Sequence, residues 1–472
     1  MTANVMTSDN IRRCACVATA MALHLATELP AQAAPTWAPT LDAIARSALA
    51  TSRSPGATVA VVVNGQLAYT KGYGLANVET QQPMTADMLL RVGSVTKMFT
   101  GAMLASLAER RELDMERPIS AYVPTLAGKR VGAVTTQQLM THSAGWSDDA
   151  GAYGRMGEGA LGEVMREVND SLMFTGAGRT FSYSNPSISM AGYVAEVAGK
   201  QRFASLVESR VLRPIGMKLS TFKPLEALTY PTAMGHTATG ANGAMAVVRP
   251  MTENTAQWAA GFLFSNAPEL ARFTIALMNS GVIDGKEALS RGVVRRATTG
   301  YVPHAGGSGL DSAMYGYGLV VGSARVNGKP ERVWTHGGAI NGYNADVIML
   351  PDRNVAVIVL ANGPGSGNAA IRDGALRLVL GTPLAYVPRA EARELTAAEQ
   401  SALVGKFAMG GVTVEFTQTN GALIFKQGAV TAPVRGGAPG EIFIGTQRMF
   451  TRTEDGKVMY VYTGSRALAR QP

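Results

Sequence analysis

Arg91-Val-Gly-Ser94-Val-Thr-Lys97-Met-Phe-Thr100 sets a hydroxyl and an amine three residues apart at the start of a helical pattern. On a helix both side chains project from one face of the first turn. A serine hydroxyl is a poor nucleophile at its own pKa and needs a partner that takes its proton during attack. Lys97 fits that role, because the positive end of the helix dipole disfavours a protonated amine and the same end suits an oxyanion. Behind Ser94, apolar residues continue at helical spacing to about Leu113, which predicts a central, buried helix with Met98, Phe99, Met103, Leu104 and Leu107 in the core. Alone the pair is weak, since serine is also a favoured helix cap.

Two further stretches strengthen it. Tyr183-Ser184-Asn185 sits in Gly178-Arg-Thr-Phe-Ser-Tyr-Ser-Asn-Pro186, and His336-Gly337-Gly338 sits in Val333-Trp-Thr-His-Gly-Gly-Ala-Ile340. Ser-x-x-Lys, Tyr-x-Asn and a basic residue followed by glycine, in that order, resemble the serine β-lactamase and penicillin-binding protein superfamily. The branch most like this chain holds class C β-lactamases, DD-carboxypeptidases and family VIII esterases. Matching text lies between the motifs, at Leu139-Met-Thr-His-Ser-Ala-Gly145, Pro214-Ile-Gly-Met217 and Ala260-Gly-Phe-Leu-Phe-Ser265, and the resemblance runs from about Ala57 to Gly363.

The resemblance implies acyl transfer through a covalent ester on Ser94, with Lys97 and Tyr183 sharing the proton work. It gives Asn185 the substrate's acyl-side amide and makes an oxyanion hole of the Ser94 and Ala339 backbone N–H groups. It lays His336, Gly337 and Gly338 along the substrate on a strand edge. A lysine ammonium beside Tyr183 would lower its phenol toward a usable base. One departure stands out. Where the family commonly carries lysine followed by Thr or Ser, this chain has His336 and Gly337, a weaker pH-dependent cation and no hydroxyl, which counts against efficient β-lactam hydrolysis. The expected activity is hydrolysis of a peptide, D-amino-acid-containing in keeping with the family, or of an ester. The alternatives are a penicillin-binding sensor or scaffold with little turnover, and a β-lactamase or transacylase of the same fold.

No Gly-x-Ser-x-Gly elbow exists, and His142, His236 and His304 have no metal-ligand spacing, so neither an α/β-hydrolase nor a metal site is expected and no cofactor is called for. The net charge of +9 comes from scattered Lys and Arg with no basic run, which favours association with an anionic cell envelope over nucleic-acid binding. Arg12-Arg13, an apolar stretch from Cys14 to Leu25 and Pro30-Ala-Gln-Ala33 read as an export signal over residues 1–33, implying a periplasmic or secreted protein cleaved near Ala33. Both cysteines, Cys14 and Cys16, lie inside it, so the mature chain would have neither disulfide nor thiol. No stretch is long and apolar enough for a membrane span.

In chain order, Thr36 to Ser54 has helical spacing, and Ala57–Val63, Asn64-Gly65 and Gln66–Gly74 read as a hairpin. Residues from about 118 to 314 are mostly helical patterns broken by Gly and Pro. Strands resume at Tyr315–Val321, Val333–His336, Asp346–Leu350 and Val355–Leu360. The expected fold is α/β, an antiparallel sheet flanked by helices with an inserted all-helical lobe, spanning 34–381. A linker over 382–394 leads to a small all-β domain over 395–472, read as a stabilising appendage rather than a substrate-shaping module. Loops at Ser147–Val168 and Ala233–Met251 are the expected setters of specificity.

Overall fold

Strands from both ends of the 34–381 region meet in one sheet, which leaves the chain between them to form a separate lobe. The computed structural model describes residues 34–148, 155–239, 243–304, 309–388 and 390–472; the expected export signal lies outside the described residues. A first helix, α1 (Ala38–Ser52), precedes β1 (Gly56–Val63) and β2 (Gln66–Asn77). Asn64 and Gly65 join them with φ of +53° and +73°, the left-handed pair that a two-residue hairpin turn requires. Then come β3 (Gln82–Pro83), α2 (Thr96–Glu109) and the lobe, whose helix α3 (Asn185–Gly199) matters below. The sheet resumes with β4 (Val302–Pro303), β5 (Asp311–Tyr315), β6 (Val320–Val326), β7 (Lys329–Ile340), β8 (Tyr343–Leu350) and β9 (Val355–Ala361), followed by α4 (Asn368–Leu380). Its order is β4-β5-β6-β7-β8-β9-β1-β2-β3, and every neighbouring pair is antiparallel.

The sheet thus begins earlier than the expected lobe limit at residue 314, and the strand expected over Tyr315–Val321 is two strands with a break between them. Gly318 explains the break. It takes φ +75°, and a Cβ there would lie 2.2 Å from the Lys97 carbonyl oxygen, so the loop presses on the backbone of α2 at a spot only glycine fits.

Period-two alternation divides the sheet between two cores. Val59 and Val61 of β1 and Val357 and Val359 of β9 face α1 and α4, with Leu41, Ala45, Ile371 and Leu376. Ala60, Val62, Ile358 and Leu360 face the other way, toward α2 and the lobe. α2 is buried nearly all round, from Thr96 through Leu107, so it is enclosed rather than amphipathic.

The C-terminal region is an eight-stranded closed barrel: β10 (Gly405–Met409), β11 (Val412–Thr419), β12 (Ala422–Gln427), β13 (Val430–Gly436), β14 (Glu441–Ile444), β15 (Gln447–Glu454), β16 (Lys457–Thr463) and β17 (Arg466–Arg470). A short helix (Ala397–Leu403) that the sequence reading did not foresee leads into it, capped by Thr396 and Glu399 in a reciprocal box. Residues 35–472 form one compact unit, barrel included. Among the described residues no helix is long and apolar enough to cross a membrane.

Candidate active site

Ser94 lies in a single 3-10 turn (Gly93–Val95) that runs directly into α2, so Lys97 follows one turn later on the same face. The Lys97 Nζ is 2.9 Å from Ser94 Oγ, 2.8 Å from Asn185 Oδ1 and 2.5 Å from the Ala260 carbonyl oxygen. Tyr183 Oη donates to Ser94 Oγ at 2.7 Å. Four residues singled out in the sequence therefore meet, Lys97 and Tyr183 at the Ser94 hydroxyl and Asn185 at the Lys97 amine. Asn185 opens α3, where Ser184 caps the helix by accepting from the Ser187 N–H, and Pro186 stands in the first turn.

Lys97 is fully buried. Burial pushes its amine down from 10.5 to about 7; the Asp148 carboxylate opposes that shift and the Arg466 guanidinium adds to it. The cause is desolvation rather than the helix terminus invoked from sequence. Tyr183 behaves opposite to expectation: burial raises its phenol above the ordinary 10, and the hydrogen bond to Ser94 does not offset it. The lysine is the group that loses its proton readily, and the tyrosine keeps its own.

His336 sits on β7 at the point where pairing changes. β6 accompanies β7 only as far as Val320 opposite Thr335, so from His336 to Ile340 one edge of β7 has no strand neighbour. The turn carrying Ser94 approaches that edge closely. A Cβ on Gly93 would be 2.6 Å from the Ala339 nitrogen, and one on Gly338 would be 2.0 Å from the Val92 oxygen and 3.1 Å from the Ser94 nitrogen. Gly93 also takes φ +53°. Only glycine at both positions lets the two backbones lie together.

The His336 ring is buried. Its Nδ1 is 2.6 Å from the Gly337 oxygen and its Nε2 is 3.0 Å from Tyr315 Oη. Burial, then the Lys97 charge, press it down to about 3, so it is neutral and supplies no cation. Gly337 is open, since a Cβ there would meet nothing nearer than the Ala345 oxygen at 3.9 Å. It borders a cavity of about 590 Å³ lined by Tyr183, Tyr315, His336, Asp346 and Ser465.

Sequence reasoning missed several neighbours. His142, read as a structural histidine, accepts from the Ser184 N–H at 3.1 Å through Nδ1 and stacks 4.3 Å from the Tyr183 ring, with its imidazole held neutral by burial. Asp148 accepts from the Asn185 N–H at 2.7 Å, and Arg466 of the barrel pairs with Asp148. Asp148 lay only within the loop from Ser147 to Val168 expected to set specificity, Ala260 only within a stretch that resembled the family, and nothing marked Arg466.

Residues 41–381 match the family model described as Beta-lactamase. Protein flp of Staphylococcus aureus strain MW2 is 22% identical over 327 residues, 68% of this chain and 62% of that protein, so the match spans less than two thirds of the relative. Among solved structures, SurE gives a TM-score of 0.72 at 24% identity, covering 92% of this chain and 99% of SurE. The D-alanine carboxypeptidase AmpC of Burkholderia cenocepacia gives 0.60 at 25% identity, covering 72% of this chain and 97% of that one. With the family model covering the whole sheet-and-lobe region, and a serine, lysine and tyrosine meeting inside it, the chain belongs to the beta-lactamase family of serine hydrolases.

Proposed function

We propose that the protein hydrolyses a peptide or ester through an acyl-enzyme on Ser94, with neutral Lys97 as the base. The observation that carries this is the set of partners around Nζ. A neutral amine has two N–H donors and one lone pair. Here two carbonyl oxygens, those of Asn185 and Ala260, take the donors, and the lone pair is left for the Ser94 hydroxyl. A protonated amine would instead donate its third N–H to the second lone pair of Oγ, and burial, which brings the amine down to about 7, favours the neutral form above that pH.

In the reaction Ser94 Oγ bonds to the substrate carbonyl carbon as its proton passes to Lys97. The oxyanion forms between the Ser94 and Ala339 N–H groups, whose close approach the glycines at 93 and 338 permit. Tyr183, kept protonated by burial, supplies the leaving group's proton, and the Lys97 ammonium restores the count. Water then attacks the ester by the reverse sequence. Asn185 holds the acyl-side amide with its remaining N–H groups, and the open strand at His336-Gly337-Gly338 receives the substrate backbone.

For substrate, we favour a D-amino-acid-containing peptide or a short ester, in line with the D-alanine carboxypeptidase among the similar structures. The neutral His336 argues against efficient β-lactam turnover. Export with cleavage near Ala33 belongs to the same proposal. The test is intact-mass spectrometry over time with a cephalosporin, a peptide ending in D-Ala-D-Ala and a p-nitrophenyl ester. Mass gained on Ser94 and released with product supports the hydrolase; turnover surviving Ser94→Ala refutes it.

A further inference from the structure

The barrel reaches the reacting groups. Its β16–β17 hairpin ends in a two-residue turn, Gly464-Ser465, with Gly464 at φ +58°. The Ser465 carbonyl accepts from the Tyr183 N–H at 2.9 Å, and the Ala467 N–H donates to Ser182 Oγ at 3.1 Å. Tyr462 Oη and Thr180 Oγ1 are 2.5 Å apart. Arg466 donates from both Nε and Nη2 to Asp148 Oδ2, and its guanidinium lies 5.3 Å from the centre of the Tyr183 ring. The other oxygen of Asp148 holds the Asn185 N–H. Thr180, Ser182 and Tyr183 are thus bonded directly to the barrel, and Asn185 through Asp148.

We propose that Arg466 is a positioning residue of the active site: with Asp148 it clamps the Tyr183-Ser184-Asn185 segment against Ser94 and Lys97, so the hydrolase region is complete only with the barrel in place. The proposal rests on the acyl-enzyme reading and adds a purpose for the C-terminal domain. Its electrostatic side is simple. Asp148 is mostly buried, 12% exposed, and its charge favours a protonated Lys97; Arg466 cancels that charge. The other titratable groups facing Lys97 are Tyr183, His142 and His336, and all three are neutral. Losing Arg466 leaves Asp148 uncompensated, so Lys97 holds its proton to higher pH.

The test uses the full chain and a fluorophosphonate probe, with the rate of Ser94 labelling followed by intact mass from pH 5 to 9. Arg466→Met is expected to move the midpoint of the acid limb up by about one unit, slowing labelling at pH 6 roughly tenfold. Arg466→Lys keeps the charge and is expected to keep the midpoint. The double variant Asp148→Asn with Arg466→Met removes both charges and is expected to return the midpoint to that of the unaltered chain, which a merely structural loss would not do. If Arg466→Met does not fold, Arg466→Gln, which removes the charge but keeps a polar side chain, takes its place with the same rise expected. A folded Arg466→Met with an unmoved midpoint, or a double variant that stays shifted, overturns the clamp. Labelling of the unaltered chain that is absent, or that persists in Ser94→Ala, refutes the acyl-enzyme reading itself.

Discussion

Acylation of Ser94 is expected to follow the ionisation of Lys97, with an acid limb of unit slope centred near pH 7. The drop from 10.5 to about 7 corresponds to about 5 kcal/mol at 1.36 kcal/mol per pH unit, most of it the cost of burying an ammonium, with Asp148 and Arg466 acting in opposite directions. At pH 7 about half the molecules then carry the neutral amine, against roughly one in 3,000 for an ordinary lysine, a gain of about a thousandfold in available base. Lowering the pH to 5 should slow acylation about 100-fold from its alkaline plateau, or about 50-fold from pH 7, since well below the midpoint each unit costs a factor of ten. Lys97→Arg, which cannot lose its proton, should lose at least about a thousandfold at neutral pH. The assay is single-turnover acylation by a p-nitrophenyl ester with protein in excess, so that deacylation does not enter. A limb near 7 invites assignment to histidine, but His336 is pressed to about 3 and His142 is likewise held low. A rate flat from pH 5 to 9, or a Lys97→Arg variant retaining more than a few per cent, would refute the reasoning.

The same shift bears on stability. Between the folded value near 7 and the unfolded value of 10.5 the unfolded chain holds a proton that the folded chain has lost, so stability should rise with pH by up to about 1.4 kcal/mol per unit; urea melts at pH 7, 8 and 9 should show that rise and Lys97→Met should flatten it. Tyr183→Phe is expected to lower turnover roughly 100- to 10,000-fold while the fold survives, the effect falling on kcat because the leaving group loses its proton donor; steady-state kinetics with the ester and a melting curve check both halves. Gly338→Ala would drive a methyl to 2.0 Å from the Val92 oxygen and part the two backbones, so kcat should fall about 100-fold or more, the cost of one lost oxyanion donor, and an unchanged kcat would remove Ala339 from that role.

How much of this was legible depended on whether a residue acts through its neighbours in sequence or through burial. Asn64-Gly65 announced its hairpin because the turn's backbone needs those two residues. The order of Ser94, Lys97, Tyr183 and Asn185 announced a constellation because their chemistry is local to each motif. The charge on His336 was misread because a sequence shows an imidazole but not the burial, nor the nearby Lys97, that hold it neutral. The phenol of Tyr183 was misread for the same reason: desolvation outweighs the lysine nearby, and desolvation belongs to the folded state. The break at Gly318 was hidden because its cause, the Lys97 carbonyl, is more than 200 residues away in the chain. The barrel's alternating strands could be seen in part, but not their closure, nor that a hairpin between two of them would reach Asp148 across 318 residues.

The Gly464-Ser465 turn has a consequence for how such a protein can diversify. Ser465 lines the cavity and bonds to Tyr183 through its carbonyl oxygen, which any residue would supply, and Gly464 supplies the turn. A hairpin tip tolerates substitution and insertion far better than a packed core. The side chain at 465 can therefore vary and reshape the rim of the cavity, provided the turn keeps its length and so keeps Arg466 on Asp148.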